Sequence, residues 1–268
     1  KASKGRAIQN LMNIEQDDNI KAFVNVADLK DQDYINNNYV VMATKKGIVK
    51  KTSLEQYSRP RTNGINAITV RDGDQLLEAR LTDGNNHIIL ALKSGKAIRF
   101  EENKVRSVGR NASGVRGITL GHEKDEVIGM VCVSEGEESN VMVVSDKGYG
   151  KRSELDDYRI TGRGGKGVKT LNVTDKTGGL IAIKSVTDND DLMIITRKGL
   201  TIRLPIEDLR VMGRATQGVR LINLRNNDEI AAVAKVEHSD EEEPLLDEEG
   251  NPIEGENNSE NLEGNTEE

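Results

Sequence analysis

The sequence predicts an all-β fold class: a domain assembled from repeated units of about four strands. Two glycine-centred segments recur along the chain at a nearly constant interval. Strand-type alternation of apolar and polar residues dominates, and no long amphipathic helical pattern is visible.

The first segment occurs four times, as YVVMATKKGIVKKTSLEQYS, HIILALKSGKAIRFEENKVR, NVMVVSDKGYGKRSELDDYR and DLMIITRKGLTIRLPIEDLR. Its glycines, Gly47, Gly95, Gly148 and Gly199, lie 48, 53 and 51 residues apart. Each copy reads as a β-hairpin with glycine at the turn, where positive φ is tolerated, followed by a short capped turn such as Ser153–Tyr158. The second segment follows each hairpin, as SRPRTNGINAITV, GRNASGVRGITL, GRGGKGVKTLNV and GRATQGVRLINL. Its aligned glycines are Gly64, Gly114, Gly167 and Gly218. An alternating strand comes next, then an acidic turn, then another apolar strand. One unit therefore has the size of a propeller blade. The expected units span roughly Ile8–Tyr57, Ile65–Arg106, Val115–Arg159 and Val168–Arg210. Val219–Val236 is expected to be unpaired, or to pair with the chain start or with preceding sequence. The chain opens at Lys1 on an incomplete unit and reads as a piece of a longer protein. The body is expected over residues 1–236, and an acidic, disordered tail over residues 237–268.

Charge is segregated. The chain carries 38 basic and 45 acidic residues, but 14 of the acidic ones, and no Lys or Arg, fall in Glu237–Glu268. A basic body with an acidic appendage points to a polyanion as partner. Four residues after each hairpin glycine the sequence has Lys51, Arg99, Arg152 and Arg203. Eleven residues after it stand Ser58, Arg106, Arg159 and Arg210. Within the glycine-rich block, Arg110, Arg163 and Arg214 recur in register, with Lys166 beside them. Repetition places equivalent residues on equivalent surfaces, so a basic rim is expected from Lys51, Arg99, Arg110, Arg152, Arg163, Lys166, Arg203 and Arg214. The acidic turns near Asp17, Asp74, Glu126, Asp175 and Asp228 are expected on another edge.

Trp is absent and aromatic content is 3%, so stacking platforms for single strands are not expected. No recognition helix or zinc-finger spacing suggests base reading. Duplex DNA held through its phosphates, without sequence readout, is the partner that fits. The single Cys132 rules out a disulfide framework and suits a reducing cytoplasm. His87, His122 and His238 lack metal-ligand spacing, and no catalytic or cofactor motif appears. No apolar stretch has the length of a membrane span.

The units, the run Lys147-Gly148-Tyr149-Gly150-Lys151-Arg152, the block Gly109–Ile118 and the acidic tail together resemble the C-terminal domain of the DNA gyrase A protein, part of a type IIA topoisomerase. The resemblance implies a β-pinwheel, in which neighbouring blades exchange strands. It also implies chiral wrapping of duplex DNA in support of ATP-dependent negative supercoiling. The whole enzyme would use ATP and Mg on other regions and join the gyrase A protein to the gyrase B protein in a heterotetramer, in the cytoplasm on the bacterial chromosome. No catalytic residue or cofactor is expected in this piece. The family's Gln-[Arg/Lys]-Arg-Gly-Gly-[Lys/Arg]-Gly box is matched only in part, by Thr161–Gly167, and the full box is expected on sequence preceding Lys1. Two other readings stand beside this one: the corresponding domain of topoisomerase IV, which favours relaxation and decatenation, and a propeller that scaffolds protein interactions.

The tail suggests a first test. Two readings stand: the tail only keeps a basic body soluble, or, tethered beside that body at an effective concentration in the millimolar range, it competes with DNA for the basic surface, and competition is the reading that a binding measurement tests. Truncation after Val236 is expected to tighten duplex binding at low salt, with the gain shrinking as salt screens the competition. Equal affinity of the two chains at every salt concentration would remove that role.

Overall fold

The structure, a computed structural model, describes residues 19–61, 63–225 and 228–238; the acidic tail after His238 and the start of the chain through Asp18 lie outside the described residues. Among the described residues the fold is all-β, with one short α-helix, α1 (Gln32–Asn37), capped by the Asp31 carboxylate, which accepts from the Asp33 and Tyr34 amides.

Each repeat supplies a hairpin. These are β1 (Tyr39–Thr44) with β2 (Ile48–Ser53), β4 (His87–Leu92) with β5 (Lys96–Glu101), β8 (Asn140–Ser145) with β9 (Tyr149–Glu154), and β12 (Asp190–Thr196) with β13 (Thr201–Pro205). A longer strand follows each hairpin: β3 (Leu76–Thr82), β7 (Val127–Val133), β11 (Leu180–Val186) and β15 (Ile230–Glu237). It pairs antiparallel with the first strand of the hairpin before it. This corrects the expected unit boundaries, which joined that strand to the hairpin after it. The acidic turn folds the chain back instead. The Asp74 carboxylate accepts from the Lys46 amide at 2.9 Å, Asp125 from Ser94 at 3.0 Å and Asp228 from Lys198 at 3.2 Å. These three acidic turns are thus latched to the hairpin tips of their own blades, and in the third blade Lys147 at the tip donates instead to the Asp175 carbonyl. The acidic turns sit at the opposite end of the hairpin from the 3-10 turns at Leu54–Tyr57, Glu102–Lys104 and Leu155–Asp157.

Strand exchange completes the first three sheets. The two-residue strands β6 (Val115–Arg116), β10 (Val168–Lys169) and β14 (Val219–Arg220) come from the glycine-rich block of the next unit and lie on β2, β5 and β9. Among the described residues three sheets therefore have four strands and the last has three, β13-β12-β15. Val219–Val236 is not left unpaired: its two strands pair with β9 and β12 within this chain.

The apolar cores lie between successive sheets. Val41 and Val49 pack with Ile88, Leu90 and Phe100; Ile89 and Val131 pack with Val143 and Leu171; Met142 and Val144 pack with Leu192 and Ile194. Because both faces of the central strands are covered, β4 and β8 read as nearly continuous apolar runs rather than as alternating ones. Strands β3, β7, β11 and β15 converge on one cavity of about 590 Å³, lined by Arg80, Cys132, Lys184 and Val233 among others. Burial pushes the Cys132 thiol far up, which keeps it protonated.

The exchanged segments approach the preceding blade more closely than a side chain allows. Gly114 has φ +90°, and a Cβ there would lie 2.5 Å from the Val49 carbonyl oxygen; at Gly167 the corresponding distance to the Ala97 oxygen is 2.5 Å. Gly114→Ala and Gly167→Ala are each expected to destabilise by about 1–3 kcal/mol from backbone strain alone. Gly213→Ala, in open space, should stay within about 0.5 kcal/mol. Urea unfolding of the three variants measures the difference.

Candidate nucleic-acid interface

The segment exchanged onto each blade runs along its outer edge as a strap. In the first blade, a parallel bridge joins Ser107 to Lys51, a loop bulges over residues 108–114, and β6 then pairs with Val49 and Ile48. The Gly47 carbonyl accepts from the amides of Gly117 and Ile118, which ends the strap at the hairpin tip. Equivalent bridges join Ile160 to Arg99 and Val211 to Arg152.

The cations four residues after the hairpin glycine lie beneath the straps rather than on them. Lys51, Arg99 and Arg152 are 8%, 7% and 6% exposed. The Arg99 guanidinium donates to the carbonyls of Leu155 and Tyr158 and to His87 Nδ1, with Asp156 at 3.5 Å. Arg152 donates to the carbonyls of Leu209 and Glu207 and pairs with Asp188. Lys51 lies 3.5 Å from Glu102, which is fully buried and also accepts from Thr82 Oγ1 and the Asn86 amide. Arg99 and Arg152 bind the short turn of the following unit, whereas Lys51 binds the first residue of such a turn through its carboxylate. Their recurrence is real, but the surface they share is the joint between blades, so these three are not part of an exposed belt. Arg203, in the last blade, is more open and binds Asp191 at 2.5 Å and the Glu237 carbonyl. Asp191 also holds His238 at 2.8 Å, and these hydrogen bonds keep its carboxyl below the ordinary range against the opposing effect of burial.

The block arginines are on the straps, and they tie one strap to the next. Arg110 Nη1 donates to the Asn66 carbonyl at 3.2 Å, Arg163 to Arg116 at 3.1 Å and Arg214 to Lys169 at 2.9 Å. The acceptors occupy one repeat position, two residues after the block glycine. Backbone bonds repeat the link, from Thr69 to Ala112, Thr119 to Gly165 and Asn172 to Thr216. Arg163 and Lys166 are exposed, whereas Arg110 and Arg214 are half-buried.

The side chains that face outward at the repeat positions are Arg106, Arg159 and Arg210, just after the short turns, and Arg116, Lys169 and Arg220 on the exchanged strands. The first set was visible in the sequence as a register. The second was missed, although the alternation Val-Arg, Val-Lys, Val-Arg signalled it: valine faces the blade and the cation faces solvent. Arg220 also lies 5.4 Å from the centre of the Tyr149 ring and donates to its hydroxyl. Exposed cations thus run along the outer edge of three successive blades, on straps that are held by inward hydrogen bonds and glycine contacts. Such a surface can bind phosphates one after another without reading bases. Among the described residues no cluster of His, Cys, Asp and Glu is arranged to hold a metal.

The joint between blades yields its own test. Lys51→Met leaves the buried Glu102 without a cation and should destabilise by about 3–5 kcal/mol. Lys51→Met with Glu102→Gln should recover a large part of that loss, as read by urea unfolding.

A family model described as DNA gyrase C-terminal domain, beta-propeller, matches residues 38–83, 87–134, 139–187 and 190–237. These four segments each contain one hairpin and the long strand that pairs with it. The DNA gyrase A protein of Staphylococcus aureus (strain NCTC 8325 / PS 47) is 42% identical over 246 residues, 92% of this chain and 27% of that protein; the protein from strain COL gives the same figures. The chain therefore spans about a quarter of the length of the curated relatives it matches. Among solved structures, the C-terminal domain of DNA topoisomerase IV superposes with a TM-score of 0.79 at 27% identity, covering 87% of this chain and 71% of that one. The DNA gyrase A C-terminal domain superposes with a TM-score of 0.75 at 23% identity, covering 87% and 75%, which is a likeness of fold. With four consecutive matched segments and a relative of this similarity, the chain belongs to the DNA gyrase C-terminal domain, beta-propeller, family.

Proposed function

We propose that the outer straps bind the phosphate backbone of duplex DNA without sequence preference, and that residues 1–236 bend and wrap it. The observation that carries this reading is the repetition of exposed cations at equivalent places on consecutive blades: Arg106, Arg159 and Arg210, and Arg116, Lys169 and Arg220. Arg163 and Lys166 project from the same edge, and Arg110 and Arg214 contribute their remaining guanidinium donors. Arg203 stands at the last blade, where no strap covers β13 among the described residues. Lys51, Arg99 and Arg152 serve the same function indirectly, by fixing the angle between blades.

A duplex following successive straps must bend. Smooth bending by 40–90° over a short site costs on the order of 1–6 kcal/mol, which several added phosphate contacts can offset. In this reading the path is chiral, with each strap rising along the ring axis relative to the one before. In the whole protein this activity would support ATP-dependent negative supercoiling by a DNA gyrase. ATP and Mg would be bound on other regions of the complex, formed with the remainder of the gyrase A protein and with the gyrase B protein. It would work in the cytoplasm, on the bacterial chromosome. The fold likeness to a topoisomerase IV domain keeps the relaxing and decatenating enzyme as the second reading. Supercoiling of relaxed plasmid by the assembled enzyme separates the two.

The binding reading is tested on the chain itself. The logarithm of the binding constant should fall with the logarithm of salt concentration at about −0.9 per phosphate contact. Replacing Arg106, Arg116, Arg159 and Lys169 with Ala should flatten that slope by about 3–4 and weaken unrelated duplexes equally. An unchanged slope, or a change in sequence preference, would overturn the strap as the phosphate-binding surface.

A further inference from the structure

Beneath two of the straps lies a lysine that the phosphate-binding surface does not use. Lys50 and Lys151, one residue before Lys51 and Arg152, are each 1% exposed. Lys50 Nζ donates to the carbonyls of Arg110 and Ala67, both at 2.5 Å. Lys151 Nζ donates to the Gly213 carbonyl at 2.7 Å and to Ser153 Oγ at 2.9 Å. Arg110 and Gly213 lie in equivalent strap loops, and Ala67 lies in the neighbouring strap. Units two and four have Ile98 and Ile202 at this position. Over Ile98 the strap loop is glycine-rich, and a Cβ on Gly165 would lie 3.4 Å from Ile98 Cδ1, so that loop rests on an apolar seat instead.

We propose that Lys50 and Lys151 are positioning residues for phosphate binding, each drawing the carbonyls of a strap loop inward and so presenting the Arg110–Arg116 and Arg214–Arg220 cations to DNA. This rests on the reading of the straps as the phosphate-binding surface. A strap loop must turn its carbonyls away from an approaching polyanion, and a buried ammonium beneath the loop gathers them. The ammonium also adds a positive charge behind the surface without touching the ligand.

Burial is the main reason both lysines are brought down to about 8. The neighbouring Arg110 lowers Lys50 further; Asp157 raises Lys151 somewhat and Arg214 lowers it. The tyrosines packed nearby, Tyr57 and Tyr158, are raised, Tyr158 to about 12, and stay neutral through this range. The sign follows. A phosphate bound in front of the strap favours the charged ammonium, so the bound state holds more protons above pH 8 than the free state does. Affinity must therefore fall as pH rises through that region.

The test compares the 268-residue chain with Lys50→Ile/Lys151→Ile, the residue that units two and four carry at this place. A short random-sequence duplex is titrated at fixed ionic strength from about pH 7 to 9.5, a range that brackets both ammonium groups. The native chain is expected to lose affinity on the alkaline side, by up to about tenfold for each pKa unit by which bound phosphate raises an ammonium. The double variant should bind more weakly at neutral pH and show no alkaline loss, although its terminal amine still titrates there. Arg116→Ala should bind more weakly yet keep the alkaline loss. In hydrogen exchange the double variant should lose protection at Ala112 and Thr216 while the strands keep theirs. A flat native profile, an alkaline loss retained by the double variant, or full affinity at neutral pH in that variant would overturn the inference. Failure of the native chain to bind duplex DNA at all would overturn the strap reading itself.

Discussion

The outer strap is the contact on which the rest of the structure depends. Each hairpin would otherwise present its second strand as an open edge, with unpaired amides and carbonyls ready to recruit another chain. The next unit closes that edge with only two paired residues, and such a short strand cannot hold itself there. Its hold comes from backbone proximity at Gly114, Gly167 and Gly218, where the missing Cβ lets the strap lie directly on the carbonyls of the preceding blade. The hairpin glycines take part in the same contact. Gly47, Gly95 and Gly148 each face a carbonyl of the next unit at a distance no side chain could accept. Gly199 has nothing within 4 Å, and no strap covers its blade among the described residues.

Closing the edge this way creates buried backbone carbonyls at the strap's beginning and in its loop, and these need donors. Buried cations supply them. Arg99 and Arg152 cap the carbonyls of the following short turn, with an exposed carboxylate offsetting their charge. Where the repeat has Lys51, the fully buried Glu102 carboxylate supplies the countercharge. The joint between blades is therefore polar at its outer margin and apolar inside, which fixes the angle from one blade to the next more narrowly than packing alone would.

Charge is consequently sorted by depth and by end. Acidic turns are consumed at the hairpin tips as caps on backbone amides, with Glu126 also bridging Lys45 and Lys93. Inner cations are consumed at the joints. What remains outward on the straps is basic, and inward hydrogen bonds from Arg110, Arg163 and Arg214 fix the straps that carry it.

The sequence by itself determined the repeat, the all-β class and the glycine turns, because these follow from local periodicity and from residues with special backbone freedom; strand exchange was expected from the family resemblance alone. It also made a basic edge legible at Arg106, Arg159 and Arg210, whose register is simple. Tertiary structure alone decided which strand each hairpin takes as its inner neighbour, since the strand after the acidic turn is apolar enough to serve either blade and only the capped turn folds it back. It alone decided depth: Lys51, Arg99 and Arg152 repeat as faithfully as the outward arginines, yet the strap covers them. Periodicity tells that two residues share an environment, and the strap, arriving from the next unit of the chain, decides whether that environment is water or carbonyl oxygen.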